Sequence, residues 1–175
     1  MGSNPTSSAR HMTTGNSQSN ADAAVSWTDF AAVQPRMAAA IAARFSAHPH
    51  HVLATLRADG SPRTSGTNVF ITDEVRVGSM PNARKVADLR RDPRCSLHSA
   101  PIDEQLVGGD AKLDCVAREM SIPDTKAWLA STGHPTGDGN GFILLVAAAT
   151  LTTVTDGQLI VETWSPTRGA RTIIR

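Results

Sequence analysis

Residues 51–80 read HVLATLRADGSPRTSGTNVFITDEVRVGSM, and this stretch decides the fold class. From Val52 to Arg57 successive residues alternate between two faces, and Asp59-Gly60 is a strong hairpin signal. A second strand from Pro62 to Ile71 and a third from Glu74 to Ser79 follow, with a turn at Thr72-Asp73 between them. The stretch therefore predicts three antiparallel strands joined by tight turns as a meander.

Two helices are predicted upstream of this stretch, at residues 27–33 and 35–47. Ser26 and Asp29 form a capping box in its Asp form. Pro35 is placed as the first residue of the second helix, where its missing N–H costs nothing. An apolar stripe then follows at helical spacing, with Met37, Ile41 and Phe45 on one face.

Downstream, the pattern predicts a helix at 82–91, strands at 94–99 and 111–119, a short helix at 123–131, and a closing hairpin formed by 142–155 and 158–164. Asp156-Gly157 is the turn of that hairpin. The predicted fold is mainly β, with six or seven mostly antiparallel strands and small peripheral helices. Such a set of strands favours a closed or nearly closed barrel.

Length and composition exclude several classes of protein. The chain has 175 residues, which favours a single domain, and its formal net charge of +1 disfavours a nucleic-acid binder. The longest apolar run, Phe142 to Ala149, is too short for a membrane span, which needs about 20 residues. Cys95 and Cys115 stand in no C-x-x-C pattern and are expected to be reduced and buried, which favours a cytoplasmic protein.

Residues 1–25 have a composition that disfavours folding. They are rich in Ser, Asn, Thr and Gly and show no apolar period. Such a segment buries too little apolar surface to offset the entropy of ordering. The sequence therefore predicts a disordered, tag-like leader over residues 1–25 and a single folded domain over residues 26–175.

Five of the positive charges fall in residues 79–94, SMPNARKVADLRRDPR. Arg84 and Lys85 lie at the start of the predicted helix, where the helix dipole disfavours cations. An anion bound there would be stabilised both by these two side chains and by the free N–H groups of the helix. Ser79 adds a hydroxyl donor, and Arg63 begins a strand that could point to the same place. A phosphate site and a solvated basic face both remain open on this reasoning, whereas the helix dipole accounts for three further cations, Arg90, Arg91 and Arg94.

The order of three motifs resembles a known family. These are LATLRADGSPR, a strand that ends in Gly78-Ser79, and ARKVADLRRDPRCSL. Together they resemble the pyridoxamine 5′-phosphate oxidase-like split-barrel family, which includes FMN-binding oxidases and F420- or flavin-dependent reductases. The similarity runs from about Val52 to Leu97 and is weaker at AKLDCVAREM and in the closing hairpin.

The resemblance implies roles for particular residues. Arg63 and Lys85 would hold the cofactor phosphate, Ser79 and Arg84 would add further donors, and the backbone of residues 64–66 would face the ring. The complete implied cofactor-binding set is Arg63, Thr64, Ser65, Gly66, Gly78, Ser79, Arg84 and Lys85. The resemblance also implies a homodimer with the pocket between its subunits.

The function implied is hydride transfer between bound FMN or F420 and a small organic substrate, with no side chain assigned as the catalytic base or nucleophile. The C-terminal WSPTRGARTIIR lacks the family's Arg-x-His clamp, which disfavours vitamin B6 oxidation. The alternative is a non-catalytic split-barrel module that binds a phosphorylated or haem-like ligand. His48, His50 and His51 are interpreted as a polar helix–strand connection, and no metal site is predicted.

Overall fold

The protein is described by a computed structural model that covers residues 20–100, 109–133 and 138–175. The fold is mainly β with small helices, which confirms the predicted class. In chain order the elements are α1 (Trp27–Val33), α2 (Pro35–Ser46), β1 (His51–Leu56), β2 (Pro62–Thr67), β3 (Val69–Ile71), β4 (Val75–Ser79), α3 (Arg84–Arg91), β5 (Arg94–His98), β6 (Asp110–Glu119), α4 (Ile122–Ser131), β7 (Asn140–Thr155), β8 (Gln158–Ser165) and β9 (Gly169–Ile174).

One antiparallel sheet forms the barrel. Its strand order is β2-β1-β5-β6-β7-β4-β3, and β8 and β9 extend it from β7. The two ends of this order, β2 and β3, are separated along the chain by Asn68 alone. A single stretch of chain therefore forms both edges of the sheet and closes the barrel, as closure of a twisted sheet requires.

The structure corrects two details of the predicted sheet. The described residues contain nine strands instead of six or seven, because the predicted strand 62–71 is divided and β9 was not predicted. The meander is also wrong, because the chain pairs with β1 before Asn68 and with β4 after it. Neither neighbour of Asn68 is Gly or Pro, so no local signal marks the change of partner at that residue. All of β9 is exposed, so no alternation in burial marks that strand.

The two N-terminal helices, α1 and α2, begin where the sequence predicts. The Ser26 hydroxyl oxygen accepts a hydrogen bond from the Asp29 N–H at 3.0 Å, and Pro35 is the first residue of α2. The buried face of α2 packs against β3, β6 and β7. Its fully buried members include Ile41 and Phe45, so this helix supplies much of the hydrophobic core.

An aromatic cluster attaches α1 to the sheet. Phe30 is fully buried. Its ring centroid lies 5.3 Å from that of Trp27 and 4.8 Å from that of Trp164 on β8. Tilted aromatic contacts of this kind contribute beyond their buried area, so Phe30 joins the N-terminal helices to the last third of the chain.

Part of the predicted leader lies within the described residues. Val25 forms a β-bridge with Val146, through N···O distances of 3.0 and 2.8 Å. Residues 1–19 lie outside the described residues, so the domain boundary at residue 26 stays a prediction. Cys95 and Cys115 lie opposite each other on β5 and β6 as buried free thiols, as predicted. No helix in the described ranges is long and apolar enough to cross a membrane.

His51 is a buried residue that is held in its neutral form. Its Nε2 lies 2.8 Å from the Phe45 carbonyl oxygen, which can only accept, so Nε2 carries the proton. Its Nδ1 accepts a hydrogen bond from the Ala100 N–H at 3.1 Å. Burial lowers the pKa of His51 below its ordinary value, and the hydrogen bond to Phe45 opposes only part of this shift.

We expect this histidine to make stability depend on pH. As pH falls through the unfolded-state value near 6.5, the unfolded chain binds a proton before the folded protein does. The free energy of unfolding should therefore be highest above that value and decrease below it. Urea titrations across this range measure the slope, and His51→Gln should reduce it. An equal slope in the variant would contradict the assignment.

Candidate functional site

A cavity of about 650 Å³ opens where the barrel closes. Its walls come from the junction of β2 and β3, the end of β4, the start of α3, and α4. The volume lies within the usual range of small-molecule sites, about 300–1,000 Å³. The cavity therefore brings together segments that are far apart in sequence, from residue 50 to residue 139.

The polar end of the cavity lies at the N-terminus of α3. Asn82 has φ 61° and Ala83 is extended, so the helix begins at Arg84, two residues later than predicted. No side chain caps this end of the helix, and of its first N–H groups that of Val86 donates to the Ala83 carbonyl oxygen at 2.9 Å. Lys85, its second residue, lines the cavity and donates from Nζ to the Gly66 carbonyl oxygen at 3.2 Å.

Two further features make this end suited to an anion. The Ser79 hydroxyl oxygen is buried and has no hydrogen-bond partner among the described residues. The lining carries no Asp or Glu. Burial lowers the pKa of Lys85, as expected for an ammonium group whose charge no anion stabilises. Residues at a helix N-terminus, a lysine and a serine therefore belong to one cavity lining, and each offers a group that would stabilise a phosphate.

Another part of the cavity lining is apolar and aromatic. Phe70 and Trp128 meet edge to face, with ring centroids 5.5 Å apart. A Cβ added at Gly78 would lie 3.7 Å from the Trp128 ring, so the indole packs directly over the β4 backbone. Leu129 and the exposed Met80 extend this wall. Such a surface suits a planar ring system better than a charged group.

Arg63 is placed differently from Lys85. It shares the inward face of β2 with Ser65, opposite the buried Thr55 of β1. Its Nε donates to Oδ2 of Asp88 on α3 at 2.6 Å. Burial alone would raise the pKa of Asp88, but hydrogen bonds from Arg63 and Thr55 and the charges of Arg63 and Arg91 hold it below its ordinary value. Arg63 is thus part of a partly buried ion pair beside the cavity.

The predicted set therefore divides into two groups. Four of its members line the cavity, namely Gly66, Gly78, Ser79 and Lys85. Four do not, namely Arg63, Thr64, Ser65 and Arg84, and Arg84 projects from the first turn of α3 as an exposed side chain. The cofactor-binding role of all eight stays a prediction.

The three cations at the end of α3 have partners within the chain. Arg90 pairs with Glu119 at 2.6 Å and Arg94 with Asp92 at 2.6 Å. Arg91 donates to the Leu56 carbonyl oxygen and lies 3.5 Å from Asp88. These partners within the chain account for the three cations, whereas the helix-dipole explanation suggested by the sequence stays a prediction.

Sequence reasoning missed several residues of the cavity. His50 lines it, with Nδ1 2.8 Å from the Asn68 side-chain oxygen, although the histidine cluster was interpreted only as a connection. Trp128 was placed on a helix without a role. Pairing between β4 and β7 and the packing of α4 bring these residues to the site, and no local pattern reports such contacts.

Comparisons with known proteins agree on the fold. No family model and no curated protein matches the sequence. Among solved structures, PhzG from Burkholderia lata in complex with tetrahydrophenazine-1-carboxylic acid is similar with a TM-score of 0.60 at 13% identity, over 84% of this chain and 91% of that one. A Clostridium acetobutylicum protein of the pyridoxinephosphate oxidase family has a TM-score of 0.52 at 9% identity, over 68% and 88%.

This chain has the split-barrel fold of the pyridoxamine 5′-phosphate oxidase-like proteins. A heme binding protein from Mycobacterium smegmatis shares this fold, with a TM-score of 0.53 at 20% identity over 70% of this chain and 57% of that one. At these identities the split barrel itself is what the comparisons establish.

Proposed function

We propose that this split barrel binds FMN or F420 and serves as an oxidoreductase that transfers hydride to or from a small organic molecule. The observation that carries the proposal is the pairing of two unlike walls in one cavity. At one end Lys85, the uncapped N-terminus of α3 and the unpartnered Ser79 hydroxyl suit a phosphate. Elsewhere in the same lining Phe70 and Trp128 suit a ring.

The residues present fit such a cofactor. Lys85 has one hydrogen bond to a carbonyl, so its ammonium retains donors for a phosphate oxygen. The Ser79 hydroxyl would gain the partner that it lacks. At Gly66 an added Cβ would meet nothing within 4 Å, so a flat group can approach the β2 backbone closely.

The hydride chemistry would be supplied by the bound flavin or deazaflavin. The chain's own part is to bind and orient. Trp128, Leu129 and Phe70 would exclude water from one ring face, and Lys85 would fix the phosphate end. His50, whose Nδ1 lies 2.8 Å from the Asn68 side-chain oxygen, lines the same cavity and would lie beside a bound substrate.

Titration with each cofactor tests this proposal. We expect either FMN or F420 to bind at micromolar concentration or below, with quenching of cofactor fluorescence. Bound FMN would also give the purified protein the yellow colour of an oxidised flavin. A protein that binds neither cofactor would contradict the proposed function.

We also propose that the chain forms a homodimer. Every residue of β9 is exposed, including Ile173 and Ile174. On the outer face of the sheet Val52 is 42% exposed, next to a shallow apolar pocket that includes Ala54 and Leu56. Apolar surface left open on two sides of a barrel is typical of an interaction site.

Light scattering checks this prediction. The expected result is a dimer at micromolar concentration, held by an interface of the usual size for stable complexes, about 1,200–2,000 Å² of buried surface. Val52→Asp should shift the protein toward monomer, since it would place a charge in an apolar contact. A monomeric wild-type protein at this concentration would contradict the proposal.

A second candidate function is non-catalytic binding of a haem-like ligand. It is supported by the fold shared with the Mycobacterium smegmatis heme binding protein and by a histidine, His50, in the cavity lining. Titration with haemin distinguishes the two functions. A Soret shift that is lost in His50→Ala, without any binding of FMN or F420, would favour this candidate.

A further inference from the structure

We infer that Asp88 is a positioning residue that holds the Arg63 guanidinium by its Nε and leaves the two terminal nitrogens for a bound anion. The inference rests on the proposed function, because the anion would be the cofactor phosphate. It concerns the β2–α3 seam, which consists of Arg63 and Gly66 on β2 and Lys85 and Asp88 on α3.

The seam places two cations side by side. Lys85 and Asp88 are three residues apart on α3 and so are neighbours on its surface. Lys85 reaches β2 at the Gly66 carbonyl, and Arg63 reaches α3 at Asp88. Arg63 therefore approaches the helix about one turn after Lys85, on the same side of the helix. The seam thus extends the polar end of the cavity toward a second cation.

The Asp88 carboxylate is fixed on three sides. Its Oδ2 accepts from the Thr55 hydroxyl at 2.9 Å and from Arg63 Nε at 2.6 Å, and its Oδ1 lies 3.5 Å from Nη2 of Arg91. Asp88 is 3% exposed. Burying a charged pair is weak evidence for stability, because desolvation offsets much of the attraction. A role in holding the Arg63 side chain in place accounts for this pair more directly.

The hydrogen bond from Arg63 Nε to Asp88 leaves the two terminal nitrogens of the guanidinium available. A guanidinium has five N–H donors in a planar fork. No hydrogen bond of its terminal nitrogens to the described residues is found, and 25% of the side chain is exposed. The fork that recognises phosphate with two parallel hydrogen bonds is therefore preorganised before any ligand binds.

The direction in which Asp88→Asn changes the affinity for FMN tests the inference. Asp88→Asn removes a negative charge next to the anion site, so Coulomb's law alone predicts tighter FMN binding. If Asp88 positions Arg63, binding should instead weaken about three- to tenfold, the loss expected when one long side chain must be ordered on binding. The readout is the Kd for FMN, and for F420 in parallel, at a temperature where circular dichroism shows both proteins folded. Unchanged or tighter binding would overturn the inference.

A double-mutant cycle shows whether Asp88 acts through Arg63. Arg63→Lys keeps the charge but removes Nε and the fork. We expect Asp88→Asn to change the Kd less than twofold in the Arg63→Lys background, because that background has no guanidinium for Asp88 to orient. Additive losses would overturn the inference. Glu119→Gln is the matched control, since it removes the charge that pairs with Arg90 of α3 from β6 and should leave the Kd unchanged.

A further measurement separates failure of the inference from failure of the proposed function. The Arg63 Nε–H resonance can be followed in ¹H–¹⁵N spectra during titration with inorganic phosphate. We expect it to shift in the wild-type protein and to shift less in Asp88→Asn. If neither FMN nor F420 binds, the proposed function fails, and this titration then decides the inference. An Arg63 resonance that phosphate leaves unmoved would overturn it.

Discussion

Lys85→Ala is expected to weaken FMN binding about ten- to a hundredfold, which is the largest loss expected from any single cation of the chain. A charge-assisted hydrogen bond to a phosphate contributes about 1.5–3 kcal/mol, and each 1.4 kcal/mol is a factor of ten. Lys85 is the one lysine or arginine among the described lining residues of the cavity. Fluorescence titration gives the Kd.

Two variants show whether the loss comes from the charge at this position. Lys85→Met retains most of the aliphatic stem and should lose nearly as much affinity as Lys85→Ala. Arg90→Ala, on the same helix, should change the Kd less than about threefold, because an exposed, paired cation contributes little. Equal losses for Lys85→Ala and Arg90→Ala would indicate a diffuse basic face and would contradict an anchored phosphate.

Phe30→Ala should lower the free energy of unfolding by about 3–5 kcal/mol, the usual cost of removing a buried aromatic side chain. Phe30 is fully buried and joins Trp27 on α1 to Trp164 on β8, so its loss leaves a cavity that rigid strands cannot collapse. For a domain of this size the melting temperature should fall by about 6–20 °C. Thermal unfolding followed by circular dichroism measures the shift.

The matched control lies on the same helix. Val33 is 59% exposed, and Val33→Ala should change stability by less than about 0.5 kcal/mol. A loss in Phe30→Ala no larger than that in Val33→Ala would mean that α1 adds little to the folded domain. In that case the helix would have to be regarded as loosely attached to the barrel.

Local chemistry explains which parts of the fold the sequence predicts well. The capping box at Ser26 and Pro35 at the first position of α2 act within one turn of chain, and both helix starts are as predicted. Gly60 and Gly157 adopt the positive φ that the Asp-Gly hairpin turns require. Signals of this kind do not depend on the rest of the molecule.

Features that depend on distant partners could not be predicted in the same way. The division at Asn68 reflects a change of partner, since β2 pairs with β1 and β3 pairs with β4. Trp128 reaches the cavity because α4 packs over Gly78. Asp88 reaches Arg63 because α3 packs against β1, the strand that pairs with β2. The basic sequence motif predicted Ser79 and Lys85 as part of the candidate site. Phe70 and Trp128, by contrast, come together only when the chain folds.

The central position of β7 determines when the cavity can form during synthesis. β4 pairs on one side with β3 and on the other with β7, where Val75 lies opposite Leu144. A ribosome adds about 5–20 residues per second, so the 70 residues from Lys85 to Thr155 take about 4–14 seconds. During that interval Lys85 has been synthesised, but the barrel that β7 completes has not formed. Binding of the proposed cofactor would therefore have to wait until β7 has been synthesised and paired with β4.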